Sequence, residues 1–130
     1  MNSLDEILRL MLIKARRKLA AATRALEAGD WDDAASRAYY AAFHAASTVL
    51  RARGLSYSSH GQTVGAFNRE FIAPGHFPAE FTRILARLFE DRQLGDYEII
   101  HTVDGDTATR DVADATRFVD ACADYLEKSR

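Results

Sequence analysis

The stretch DRQLGDYEIIH, Asp91 to His101, places Arg92 four and five positions before Asp96 and Tyr97, and nine before His101. An arginine fork stays protonated at physiological pH and matches the geometry of a phosphate. A histidine ionises near pH 6.5, so at neutral pH it can take or give a proton. Arginine and histidine held close together could therefore cleave a phosphodiester without a metal. The imidazole would move protons and the guanidinium would steady the charge on the oxygens around phosphorus. His101 would have to fold back to join Arg92; otherwise it is a loop histidine. The same residues also admit a plainer reading, in which Arg92 and Asp96 form an i,i+4 ion pair closing a helix and Tyr97 covers its end.

Two further groups use the same residue types. Arg37, Tyr40 and His44 fall at i, i+3 and i+7 on one helix face, where they could line a polar cleft with Arg92. Alternatively, Arg37 pairs with Asp33 and Tyr40 packs with its hydroxyl at the rim. Ser58, Ser59 and His60 lie at the start of a helix, where free N–H groups attract anions; the simpler role for Ser59 is a cap. Arg37–His44, Arg53–His60 and Arg69–His76 all share one spacing. Fourteen arginines and four histidines produce such matches by chance, so no role is assigned to them. KARRKL (Lys14 to Leu19) reads as a solvated face beside an apolar stripe. Cys122 reads as an inert buried thiol and Trp31 as a packed anchor. The chemistry these residues suggest needs no metal and no cofactor.

Helices must position these groups. Leu4, Leu8, Met11, Ala15, Leu19, Ala22 and Leu26 recur in steps of four and three, which predicts a first helix over about 4–28. EAGDWDDAAS is a boundary: Gly29 suits a left-handed stop, Asp30 an N-cap, and Asp32 and Asp33 an acidic first turn. The second helix should run to about Arg53 and stop at Gly54. Its middle, AASRAYYAAFHAAS, has small residues between its aromatics, so neighbouring backbones can come close and the helix is expected at the centre of a bundle. Ser59 and Gln62 resemble a capping box for a third helix with Val64, Phe67 and Phe71 on its buried edge. Pro74 and Gly75 break that helix. Pro78 suits the first position of a fourth, with Phe81, Ile84, Leu85, Leu88 and Phe89 inward and an end near Gly95. Ala108, Val112, Ala115, Val119, Cys122 and Leu126 mark a last helix from about Thr107. No period-two run is long enough for a sheet. The expectation is an all-α, up-and-down bundle of four or five helices, forming one domain over residues 1–130.

The chain has 130 residues, 48% hydrophobic and 28% charged, with net charge -2. That balance suits a globular core and excludes a general basic field for nucleic acid, so any RNA contact needs a local patch. The single cysteine excludes an internal disulfide and fits a reducing cytoplasm. No apolar run approaches the roughly 20 residues of a membrane span. MNSLDEILRL lacks separate basic and apolar regions, so no signal peptide is expected.

AASRAYYAAFHAASTVLRARG (Ala34 to Gly54), SSHGQTVGAFNREFI (Ser58 to Ile72) and RILARLFEDRQLGDYE (Arg83 to Glu98) occur in that order before an alanine-rich last helix. Together they resemble the HEPN domain, and more narrowly its small stand-alone branch, in which an Arg–x–x–x–Asp–Tyr element ends the fourth helix. Here that element is Arg92, Asp96 and Tyr97. The resemblance covers nearly the whole chain. It implies a helical bundle that forms a homodimer with motif arginines of both copies facing one cleft. It also implies RNA or a nucleotide as ligand and a minimal nucleotidyltransferase as antitoxin partner. Non-catalytic members instead bind nucleotides or proteins. The active pattern places a histidine four to six residues beyond the arginine, but those positions here hold Tyr97, Glu98 and Ile99. A phenol, with an ordinary pKa near 10, is a poor base at neutral pH.

Overall fold

The computed structural model describes residues 3–97, 99 and 102–129. Within them the chain forms α1 (Leu4–Glu27), α2 (Trp31–Ala52), α3 (His60–Phe67), α4 (Glu80–Tyr97) and α5 (Gly105–Lys128), an all-α up-and-down bundle. The starts of α1, α3 and α5 show a local cause. The Ser3 hydroxyl accepts from the Glu6 N–H at 3.2 Å, and the Asp104 carboxylate accepts from Thr107 at 2.8 Å. Ser59 Oγ accepts from Gln62 N–H at 3.2 Å and donates to Gln62 Oε1 at 3.1 Å, so the expected capping pair is present in this form. Asp30 holds the N-cap position of α2 without a side-chain cap bond. Gly29 and Gly54 end α1 and α2 at φ 79° and 77°, a backbone region glycine enters without a Cβ clash.

The core is organised by α2, which packs against α1, α4 and α5. Ala34, Ala35, Ala38, Ala41, Ala42, Ala45 and Ala46 are all fully buried. Their methyl groups keep the interhelical distance short, which brings the polar rim of α2 within hydrogen-bonding reach of α4. A second part of the core is aromatic: Phe67, Phe71, Phe77, Phe81 and Phe118 interlock at ring separations of 5.2 to 5.7 Å. Among the described residues, no helix is long and apolar enough to cross a membrane.

Several boundaries differ from the sequence expectation. α3 continues as a π-helical turn over Asn68–Ile72. Pro78 precedes α4, and the Phe81 N–H bonds to its carbonyl at 3.0 Å. α5 begins at Gly105, not Thr107, because Asp104 supplies the cap. Leu4, at the end of the α1 stripe, is 49% exposed, so that stripe is covered only beyond its first turn. Trp31 is 37% exposed, with its ring beside Gly105, so it is only partly packed. His101 lies outside the described residues.

Gly95 does not end α4, which runs on to Tyr97. A Cβ there would stand 3.1 Å from Asp32 Cβ and 3.2 Å from Asp32 Cα. Its bare backbone lets α4 close on the start of α2. Asp32 itself is anchored, since its Oδ1 accepts from the Val103 N–H at 2.8 Å. Gly95→Leu is therefore expected to lower stability by about 1–3 kcal/mol through overpacking, read as a lower denaturant midpoint with an unchanged slope.

Candidate functional site

Arg92 sits at the α2–α4 contact with its side chain 17% exposed. Its Nε donates to Asp96 Oδ2 at 2.9 Å, and its Nη2 donates to the Tyr40 hydroxyl at 2.7 Å and more weakly to Tyr97 at 3.4 Å. The guanidinium carbon lies 5.1 Å from the Tyr40 ring, 5.5 Å from that of Tyr97 and 5.8 Å from that of Tyr39. One cation thus has a carboxylate, two phenol oxygens and three aromatic walls around it, all of which favour a positive charge in a half-dry place. Its Nη1 has no hydrogen-bond partner among the described residues.

Behind Tyr40 stands Tyr39, which is buried, with the two rings edge to face at 5.1 Å. The Tyr39 hydroxyl is 3.0 Å from His60 Nδ1, and the imidazole stacks on Phe89 at 3.8 Å. Burial pushes the Tyr39 phenol up to about 12, with Arg92 opposing and Tyr40 adding to the shift. Burial alone holds the His60 imidazole below its ordinary range.

The sequence candidates separate in space. Arg92, Asp96, Tyr97 and Tyr40 come together, and Tyr39 links them to His60. Arg37 does not join them: its Nε is bonded to Asp33 at 2.9 Å, the i,i+4 pairing that was the simpler alternative. His44 makes no hydrogen bond to Arg92 among the described residues and lies near Lys14 and Lys18 of α1. Burial first, then Lys14 and Lys18 of α1, lower its pKa. Ser59 caps α3 and so sets the position of His60. None of the equally spaced Arg–His pairs meets as a pair. Arg53 bonds to the Glu70 carbonyl and the Tyr125 hydroxyl at 2.9 Å each, and Arg69 bonds to Glu70 at 3.1 Å. Sequence reasoning did not assign Tyr39 or Phe89 to the site. Phe89 was legible as apolar stripe, and the contact between Tyr39 and His60 spans 21 positions that no local pattern connects. Cys122 is fully buried, which pushes its thiol upward and keeps it unreactive.

A second polar cluster, unread from sequence, lies between α4 and α5. Asp111 is fully buried, and neither carboxyl oxygen meets a hydrogen-bond donor among the described residues. Asp91 of α4 faces it, with Arg87 Nε at 3.6 Å and Arg110 Nε at 3.9 Å from Asp111 Oδ1. Arg87 also pairs with Asp114, and Arg110 Nη2 is 3.5 Å from Asp91. Two acids facing each other in a dry contact are satisfied when one carries a proton and donates it to the other.

The chain is thus an all-α bundle with an arginine-centred polar cluster at the contact of α2 and α4. The family model for the HEPN domain matches residues 8–126. This chain therefore belongs to the HEPN domain family. It is 33% identical to a UPF0332 protein of Thermotoga maritima, over 98% of this chain and 96% of the other. It is 31% identical to a UPF0332 protein of Archaeoglobus fulgidus, over 98% and 100% of the two chains. A protein of Methanocaldococcus jannaschii whose name marks it as a candidate toxin is 32% identical, over 95% of this chain and 91% of that one.

Burial and the facing Asp91 raise the Asp111 pKa to about 8, against about 3.9 in an unfolded chain. The folded state then binds a proton that the unfolded state releases, so this group's contribution to stability declines as pH rises from about 4 to about 8 and is flat above. Asp111→Asn, neutral at every pH, is expected to remove that decline. Denaturation at pH 5 and pH 8 should show the variant gaining on the natural chain at the higher pH.

Proposed function

We propose that this protein is a toxin-like, RNA- or nucleotide-directed HEPN component that works with a nucleotidyltransferase as its antitoxin. In this reading residues 1–130 form one domain, two copies pair as a homodimer, and the protein acts in the cytoplasm. The observation that carries the reading is the state of Arg92. Its Nε and Nη2 are held by Asp96 and Tyr40, while Nη1 has no partner among the described residues. A guanidinium fixed on two nitrogens and open on the third is prepared to take a phosphate oxygen with little loss of side-chain entropy. Tyr97, 67% exposed and next to the cluster, is the residue a nucleotidyltransferase partner would modify. The name of the M. jannaschii relative supports the toxin-like label.

A second reading, a non-catalytic dimeric module that binds a nucleotide or a protein, is favoured by one observation. Tyr97, Glu98 and Ile99 stand where active relatives of the resembled pattern carry histidine. Induced expression separates the two. Expression of the natural chain is expected to arrest growth and Arg92→Ala to restore it. Harmless expression of both would favour the binding module.

A further inference from the structure

The groups bonded to the Arg92 guanidinium are phenols and a carboxylate, and the His60 imidazole packs against Tyr39, the ring that also faces the guanidinium. We infer that His60 is the proton-transferring residue of the Arg92 site, and that its substrate is an RNA phosphodiester whose 2′-hydroxyl it deprotonates. This rests on the RNA-directed reading of Arg92 given above.

Two contacts fix the ring. Its Nδ1 lies 3.0 Å from the Tyr39 hydroxyl, and its face stacks on Phe89 at 3.8 Å with 16° between the planes. Phe89 and Arg92 are three residues apart on α4, so they are neighbours on one helix face with Cβ atoms about 5–6 Å apart. Tyr39 is the shared wall: its ring lies 5.8 Å from the Arg92 guanidinium carbon, and its hydroxyl meets His60. An imidazole 32 positions away in sequence thus shares one aromatic wall with the cation: the His60 ring and the Arg92 guanidinium carbon lie 5.7 and 5.8 Å from the Tyr39 ring. Its Nε2 has no hydrogen-bond partner among the described residues and is not sealed from solvent. A ring held by one nitrogen and one face, with the other nitrogen open, is an oriented proton acceptor. Burial lowers its pKa, so it is neutral at pH 7 and able to accept.

The neighbours do not compete for the role. Tyr39 is a buried phenol pushed up to about 12, Asp96 is engaged by Arg92 Nε, and His44 lies by Lys14 and Lys18. With Nδ1–H donated to the Tyr39 oxygen, the Nε2 lone pair takes the proton of the 2′-hydroxyl. The 2′-oxygen bonds to phosphorus as the bond from phosphorus to the 5′-oxygen breaks. The leaving oxygen takes a proton from water, and the imidazolium returns its own to the hydroxide. The products are a 2′,3′-cyclic phosphate and a 5′-hydroxyl end. Arg92 Nη1 bonds the non-bridging oxygens throughout.

The test is cleavage of total cellular RNA in the presence of a chelator, from pH 5 to 9, read as new 5′-hydroxyl ends. It compares the purified natural chain with Arg92→Ala, His60→Gln and Tyr39→Phe, whose folding is followed by circular dichroism. The natural rate is expected to rise with pH through a midpoint below 6.5. Arg92→Ala and His60→Gln should each lose about 100-fold or more, and the acidic limb should vanish in His60→Gln. Tyr39→Phe, which keeps the ring but not the orienting hydroxyl, should lose less and shift the limb. A folded His60→Gln that cuts at the natural rate with the same limb overturns this inference and leaves the Arg92 reading standing. RNA left uncut by the natural chain, or cut equally by Arg92→Ala, overturns both. Should His60→Gln not fold, the imidazole resonances of the natural chain decide, with adenosine 3′-monophosphate as probe. A His60 shift that Arg92→Ala abolishes supports the role, and binding that leaves His60 unmoved overturns it.

Discussion

The close contact of α2 with its neighbours governs everything around it. Seven alanines of α2 are fully buried, and a methyl group is the smallest side chain that still excludes water. Larger residues at those positions would hold α4 further away, and the 2.7 Å bond between Arg92 and Tyr40 would not form. Gly95 serves the same end from the other side, where even a Cβ would press on Asp32. Small residues on both helices set the separation, and the polar contact at the rim follows from it.

That contact in turn makes a mostly buried arginine tolerable. A cation out of water needs its lost hydration replaced, and an incomplete replacement costs several kcal/mol. Asp96 and Tyr40 supply direct bonds, and the rings of Tyr39, Tyr40 and Tyr97 present their negative faces. The opposite solution appears on the other side of α4. There Asp91 and Asp111 face each other in a drier setting, and a shared proton reduces the charge to be buried. Neighbouring residues of one helix, Asp91 and Arg92, thus belong to separate polar systems on different faces, one joined to α5 and the other to α2.

Membership of the HEPN family bears on fold more firmly than on chemistry. The matched region, residues 8–126, takes in all of α2, α3 and α4, and so the whole Arg92 cluster. The nearby imidazole comes from α3 and not from the end of α4. The α3 cap at Ser59, the stacking surface of Phe89 and the hydroxyl of Tyr39 hold it there. These three contacts come from three different elements, so the ring's position is a property of the packed bundle and not of any one segment.

The helices themselves were legible in the sequence because their causes are local. Apolar steps of three and four, serine and aspartate caps, and glycine stops act within a few residues, and α1, α2 and α3 begin where those signals lie. The pairing of Arg92 with Asp96, and of Arg37 with Asp33, was legible for the same reason, since one helical turn brings each pair together. Other features depended on which faces met after packing. Tyr40 rather than Arg37 or His44 reached Arg92, Gly95 met Asp32 of α2, Asp111 was buried against Asp91, and His60 came to rest on Phe89. Contacts between residues far apart in the chain are decided by interhelical distance and rotation, and no local spacing encodes either one.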